Sequence, residues 1–354
     1  MTHRIAVIPG DGIGVEVIRE ASRLLDLVST RRSLDLALWQ LDLGAERYLH
    51  DGTTLPPKLF DEIKETCSAI LMGAVGDPRV PSNVHALEIL FGFRFGLDLF
   101  ANIRPVRCLD DRLSPLKHHG AAHIDFVIFR ENTEGLYVNV GGQVRRGTPD
   151  EIAINEDVNT RKGVERVIRA AFEYARKHGK TRVHMADKSN AMRHAHELWL
   201  RVFREVAKDY PGVKAEHVYV DALCLYMVQD PSAFQVIVTC NLFGDIITDL
   251  GAALQGGLGM AGSASVHPGQ RIALFEPVHG SAPPLAGKDV ANPFASFLTV
   301  GLLLSHLGFD GLEALIEDCV RECLAAKQCT RDVGGELGTR AAAEAFLSRL
   351  AARL

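Results

Sequence analysis

Two aspartates stand four residues apart in Asn241-Leu-Phe-Gly-Asp-Ile-Ile-Thr-Asp249. On a helix, Asp245 and Asp249 share one face, with Cβ atoms about 5–6 Å apart. Like charges so close repel, and an oxygen-seeking divalent cation compensates them well. Leu242, Phe243, Ile246, Ile247 and Leu250 make the rest of the segment apolar, which sets it apart from a wholly solvated face. An ordinary acidic i, i+4 pair is the plainer alternative. Asp221, at the end of a strand-like run, is the natural third oxygen ligand. Zinc is disfavoured, because no Cys or His stands here at ligand spacing.

Three arginines adjoin apolar residues: Phe93-Arg94-Phe95, Ile103-Arg104-Pro105 and Phe129-Arg130-Glu131. A guanidinium among hydrocarbon needs an anionic partner, and bidentate carboxylate recognition is its strongest suit. A substrate with two carboxylates accounts for all three, whereas ordinary ion pairs account for any one. Lys188 and Tyr137 are the candidate proton handlers. A lysine beside a metal and other cations can accept a proton at neutral pH, and a phenol can donate one. Gly10-Asp-Gly-Ile-Gly14 is GxGxG, one residue short of the dinucleotide fingerprint, and reads as a tight strand-to-helix turn. Glu276-Pro-Val-His-Gly-Ser-Ala-Pro283, with Ala291-Asn-Pro293 after it, is a polar loop better suited to a nucleotide.

These residues need elements to hold them, and strand-like and helix-like runs alternate along the chain, as in an α/β fold. Ile5–Ile8 reads as a strand, followed by a helix whose face is Ile13, Val17, Ile18, Ala21, Leu24, Leu25 and Val28. A second helix runs from Arg161 to His178, with Thr160 as N-cap and Gly179 as its stop. Strand-like runs end at polar clusters five times: Phe126–Phe129 at Arg130, Arg182–Ala186 at Asp187-Lys188, His217–Val220 at Asp221, Gln235–Thr239 before Asn241, and Ile272–Phe275 at Glu276. Open α/β sheets gather ligands at the carboxyl ends of their strands, so five such clusters suggest one site.

The 354 residues are 47% hydrophobic and 23% charged, enough chain for about two domains. Lys plus Arg is 39 against 44 Asp plus Glu, a net charge of −5 that argues against a nucleic-acid or membrane-surface binder. The apolar stretch Phe297–Leu304 is well short of the ~20 residues of a membrane span, and the N-terminal run is too short for a secretory signal. Seven scattered cysteines without a CxxC pair fit reduced thiols in a cytoplasmic protein.

Taken in order, Gly10-Asp-Gly-Ile-Gly14, Arg130-Glu-Asn-Thr-Glu-Gly135, Asn241-Leu-Phe-Gly-Asp245, Glu276-Pro-Val-His-Gly-Ser-Ala-Pro283 and Thr330-Arg-Asp-Val-Gly-Gly335 resemble the β-decarboxylating (isocitrate/isopropylmalate) dehydrogenase family over nearly the whole chain. The resemblance implies two α/β domains with a cleft between them, not a Rossmann fold. One domain would be discontinuous (1–103 and 259–354) and face the cofactor. The other (104–258) would carry the metal and substrate side and dimerise. It implies a homodimer with shared active sites. Arg94, Arg104 and Arg130 would grip the malate carboxylates, and Asp221 (from the partner), Asp245 and Asp249 would hold Mg²⁺ or Mn²⁺. Lys188, also from the partner, would act as base and Tyr137 as acid. Asn190 would lie near the nicotinamide, with Glu276, His279, Gly280, Ser281, Ala282 and Asn292 around the rest of the cofactor.

Within the family, the helix before Arg94 meets the substituent at C3 of the substrate. Leu87, Leu90 and Phe91 form one hydrocarbon face there, with no Ser-x-Asn pair for a third carboxylate. That favours 3-isopropylmalate, converted to 4-methyl-2-oxopentanoate and CO₂ as in leucine biosynthesis; core packing of the same residues is the alternative. Val80-Pro81 and Gly141-Gly-Gln-Val144 also resemble tartrate/D-malate enzymes, and Arg130–Glu134 resembles homoisocitrate enzymes. NAD-using members carry Asp after His-Gly-Ser-Ala-Pro, where this chain has Pro284; NADP-using members carry Lys-Tyr, absent here. NAD is favoured and NADP not excluded. A non-catalytic regulatory subunit of a heteromeric dehydrogenase is the alternative from another class, although every Arg, Asp, Lys and Tyr named above is retained.

Overall fold

In the computed structural model, which describes residues 2–354, aliphatic runs become strands buried on both faces and amphipathic runs become the helices that cover them. In chain order the strands are β1 (His3–Ile8), β2 (Leu36–Gln40), β3 (Ala69–Met72), β4 (Ala101–Arg107), β5 (Asp125–Glu131), β6 (Gly141–Val144), β7 (Ile152–Asn155), β8 (Arg182–Asp187), β9 (Lys214–Tyr219), β10 (Val236–Thr239), β11 (Gly262–Val266) and β12 (Leu274–Pro277). The helices are α1 (Ile13–Arg32), α2 (Ala45–Asp51), α3 (Pro57–Thr66), α4 (Val84–Gly96), α5 (Arg161–Lys177), α6 (Ala195–Ala207), α7 (Val220–Gln229), α8 (Asn241–Leu254), α9 (Phe294–His306), α10 (Leu312–Ala325) and α11 (Thr339–Arg353).

Local signals place several of these elements. All seven apolar residues expected on the α1 face are buried. In α5 the face Val164, Val167, Ile168, Ala171, Phe172 and Ala175 is buried, and Thr160 Oγ1 accepts the Gly163 amide at 3.0 Å as an N-cap. Gly179 follows that helix with φ +63°, a conformation that favours glycine. Several strand ends differ from expectation: β5 runs on through Arg130 to Glu131, β8 to Asp187 and β12 through Glu276 to Pro277, whereas β9 stops early at Tyr219. Val220 and Asp221 open α7 instead of ending a strand, so Asp221 lies in the first turn of that helix, where the macrodipole favours an acid. The apolar stretch Phe297–Leu304 is the middle of α9, a largely buried helix, and no helix among the described residues is long and apolar enough to cross a membrane.

The chain divides into two compact units. The first comprises Met1–Leu99, Pro105–Ile124 and Ala252–Leu354, with strand order β2-β1-β3-β12-β11. Its β1, β2, β3 and β12 pair in parallel, and β11 runs antiparallel to β12. The second comprises Phe100–Arg104 and Asp125–Gly251. There the order is β4-β5-β10-β8-β9, with β5, β10, β8 and β9 parallel, so that four strands end at one edge. A separate antiparallel pair, β6-β7, completes the second unit.

The division differs from the expected boundaries: residues 100–103 fall with the second unit, and residues 105–124 and 252–258 with the first. Contacts within that unit give the reason. The Arg107 amide donates to Gln255 Oε1 at 2.7 Å, its guanidinium pairs with Glu317, and Arg112 donates to the Leu324 carbonyl at 2.6 Å.

Candidate active site

In the second unit, Arg130 is the penultimate residue of β5, Asn241 opens α8, and these two elements build the centre of the site. Arg130 is 2% exposed, so its guanidinium must be fully satisfied. It donates to Asn241 Oδ1 from Nε (3.0 Å) and Nη2 (2.8 Å), and to Asp245 from Nη1. Arg104, buried on β4, donates to Asn102 Oδ1 at 2.7 Å and Thr248 Oγ1 at 2.6 Å, and stands 3.7 Å from Asp245. Tyr137 Oη donates to Asp245 Oδ2 at 2.7 Å, with the Arg130 guanidinium 5.1 Å from the centre of its ring. Four of the residues read from sequence (Arg104, Arg130, Tyr137 and Asp245) therefore converge. Asp249, one turn further along α8, is exposed.

A glycine allows this convergence. A Cβ at Gly244 would lie 2.4 Å from Arg130 Cγ and 2.6 Å from its Cβ, so the arginine stem packs directly on the α8 backbone. The acid pair expected to need a cation is thus compensated on its Asp245 side by two guanidinium groups. Burial, followed by the hydrogen bond to Asp245, raises the Tyr137 pKa above its ordinary value. The phenol is therefore protonated at neutral pH, as a proton donor must be.

Lys188, which follows β8, pairs with Asp221 on α7: Nζ to Oδ1 is 2.8 Å. This hydrogen bond holds the Asp221 carboxyl below the usual carboxylate range. Asn190 is exposed two residues on. Among the described residues, no three His, Cys, Asp or Glu side chains of one chain are grouped to hold a metal. The acids available are Asp245 and Asp249 on one helix and Asp221 on another, an all-oxygen set that suits a hard divalent cation.

In the first unit, Arg94 on α4 is 5% exposed and donates to Glu276 Oε1 at 2.8 Å. Its Nε is buried without a hydrogen-bond partner, a donor still available to an anion. The α4 residues expected at the substrate divide: Leu90 packs against the core, Phe91 stacks on Phe95 at 5.3 Å, and Leu87 is 48% exposed. His279 Nδ1 donates to the Gly280 carbonyl at 3.1 Å, leaving Nε2 a buried acceptor without a partner. Burial lowers the His279 pKa, so the ring is neutral. Asn292 donates to Asp332 Oδ2 at 3.0 Å and accepts the Phe294 amide at 3.0 Å, so both ends of its side chain are engaged within the fold.

The Gly10–Gly14 turn shows why its glycines are needed. Gly12 has φ +56°, and a Cβ there would lie 2.0 Å from the Ser281 carbonyl oxygen, which accepts the Ile13 amide at 2.8 Å. The turn thus lies directly against the 276–283 loop, beside Ser281 and Ala282.

Several supporting residues were missed by the sequence reading. Glu131, 1% exposed, accepts the Thr133 and Glu134 amides at 2.8 and 2.7 Å and ties down the loop leading to Tyr137. Asp11 accepts the Ala45 and Gly76 amides, each at 2.7 Å, and meets His85 of α4 at 2.9 Å. An aspartate flanked by two glycines was the only available signal for the latter.

Residues 4–348 match the family described as isocitrate/isopropylmalate dehydrogenase. The chain is 44% identical over 348 residues to a 3-isopropylmalate dehydrogenase of Thermobifida fusca (strain YX), covering 96% of this chain and 98% of that protein. It is 46% identical over 344 residues to one of Mycobacterium avium (strain 104), covering 96% and 99%. Among solved structures, isocitrate dehydrogenase from Methylococcus capsulatus superposes with a TM-score of 0.89 at 34% identity, covering 99% of each chain.

Proposed function

The chain belongs to the isocitrate/isopropylmalate dehydrogenase family, and from that membership we propose that it oxidises and decarboxylates a 3-substituted malate, 3-isopropylmalate first, with NAD as hydride acceptor. The observation that carries the reading is the convergence of Arg104, Arg130 and Tyr137 on Asp245, which brings cations for carboxylates and a protonated phenol together. The substrate choice is supported by the relatives matched over nearly their whole length, which are 3-isopropylmalate dehydrogenases, and by the absence of a Ser-x-Asn pair before Arg94.

Asp245 and Asp249, with Asp221 of a second copy, would hold Mg²⁺ or Mn²⁺. When bound, such an ion supplies Lewis acidity that makes the 2-hydroxyl easier to deprotonate. Arg104 and Arg130 bind the carboxylates and, by motif match, Arg94 joins them. Lys188, from the same second copy as Asp221, accepts the hydroxyl proton as hydride leaves C2. Loss of CO₂ from the resulting β-keto acid leaves electron density at C3, and Tyr137 delivers its proton there. The buried, unpartnered Nε2 of His279 offers an acceptor to a nucleotide, and the open main chain at Gly280 leaves room for it.

A homodimer is part of this proposal. Leu225, Tyr226 and Val228 on α7, Ile246 on α8, and Val144, Ile152 and Ile154 on β6-β7 are all exposed, and a second copy is what we expect to cover them. The scattered cysteines, with no CxxC pair among them, support a cytoplasmic location as part of the same proposal.

Steady-state kcat/KM on 3-isopropylmalate, D-malate, homoisocitrate and isocitrate, each with NAD and NADP, tests the reading. The highest value is expected for 3-isopropylmalate with NAD. A clear preference for D-malate would overturn the substrate, and inactivity toward all four with a divalent metal present would favour the regulatory-subunit alternative.

A further inference from the structure

The Lys188 amide lies one residue beyond the last rung of the β8-β9 ladder, at Asp187 and Tyr219. It donates instead to Nδ1 of His196 at 2.9 Å, from a half-buried position to a ring that is 1% exposed. A ring nitrogen that accepts an N–H carries no proton, so the proton of the neutral imidazole is on Nε2. That Nε2 is buried without a hydrogen bond and lies 3.7 Å from Asp157 Oδ2, itself a buried oxygen without a hydrogen bond. The Phe243 ring meets the imidazole edge-on at 5.2 Å and closes it in. On the other side of the turn, buried Asp187 accepts from Ser189 N at 3.0 Å and meets His217 Nε2 at 2.9 Å.

From this arrangement we propose that His196 is a positioning residue for Lys188, and that Asp157 selects the tautomer that lets it act. Asp157 attracts the Nε2 proton, which leaves Nδ1 as the acceptor. Nδ1 takes the one main-chain donor at Lys188 that the ladder leaves over, and so fixes the point from which the lysine side chain reaches Asp221. An amide pointed into this buried region without an acceptor would be costly, so without His196 the turn must shift and carry Nζ with it. The catalytic part of this inference rests on the assignment of Lys188 as base in the proposed function; the positional part does not.

Three substitutions separate this role from simple packing. Asn places its side-chain oxygen where Nδ1 stands, Gln places its amide nearer the Nε2 position, and Leu offers no acceptor. The first readout is the rate of reductive methylation of Lys188 Nζ in the full-length protein, followed by peptide mass spectrometry. Methylation is expected to speed up several-fold in His196→Leu and His196→Gln and to stay near wild type in His196→Asn. Equal rates in all three variants would overturn the proposal.

The second readout is kinetic, on whichever malate the wild type oxidises. In His196→Leu and His196→Gln, kcat should fall by between about tenfold and a hundredfold. The KM for substrate and cofactor should hold within about twofold, and His196→Asn should recover most of kcat. A matched rise in KM, or equal loss in the Asn variant, would assign His196 to packing. A wild type inactive on every malate would remove the proposed function while the methylation rates still decide the positioning role.

Discussion

Tyr137 Oη and Asp245 Oδ2 are joined by a 2.7 Å hydrogen bond within one unit of one chain, linking the residue read as proton donor to one read as a metal ligand. Burial and this bond both favour the protonated phenol. Tyr137→Phe removes the donor while keeping the ring beside Arg130. Overall turnover should fall by about 10²–10⁴-fold, with the unprotonated decarboxylation product limiting the rate. Pre-steady-state reduction of NAD measured against steady-state turnover distinguishes the two halves: a first hydride transfer near wild type with slow turnover is expected. Unchanged turnover would remove the acid role.

Arg130 is held against α8 by the lack of a side chain at Gly244. Gly244→Ala must displace a fully buried guanidinium stem or bend the helix. The overpacking should cost about 1–3 kcal/mol in urea unfolding and lower kcat/KM through substrate KM, since Arg130 loses its aim at Asn241 and Asp245. Wild-type KM in a folded variant would contradict the geometry.

The carboxylate set leads to a metal test. Chelator-stripped enzyme should lose turnover and regain it with Mg²⁺ or Mn²⁺. Asp249→Asn, at an exposed position where folding is little affected, should raise the metal concentration for half-activation by at least about tenfold, because hard-cation affinity follows the charge count of the ligands. Full activity after chelation would sink the metal-assisted reading.

His184 on β8 is mostly buried, edge-on to Phe234 at 4.8 Å and 3.0 Å from Glu216. Burial lowers its pKa from 6.5 to about 4, with Glu216 opposing the shift and Arg182 and Lys214 adding to it. Between those values the unfolded chain binds the extra proton, so His184 stabilises the fold above about pH 6.5, and this contribution is lost as pH falls through about 4. The full contribution is on the order of 3 kcal/mol. Urea midpoints should therefore drop more steeply over that range in wild type than in His184→Phe; parallel profiles would exclude the effect.

Much of the local placement of the candidate residues was legible in the chain because its signals are local. The four-residue spacing of Asp245 and Asp249 places both on α8, the Thr160 hydroxyl caps α5, and the apolar runs that become β5, β8 and β10 stop at Arg130, Lys188 and Asn241. Periodicity and capping act over a few residues and can be read without a fold. Partnerships could not. Arg104 meets Thr248 across 144 residues, Arg94 meets Glu276 across 182, and Asp11 meets His85 across 74. Each depends on which strands become neighbours and where their ends fall. The need for glycine at 244 and the tautomer of His196 likewise follow from surroundings assembled by distant segments. Residue type and spacing determined which groups could do chemistry; tertiary packing decided which charge each of them faces, because a buried ion or amide takes its partner from whatever the fold brings within about 3 Å.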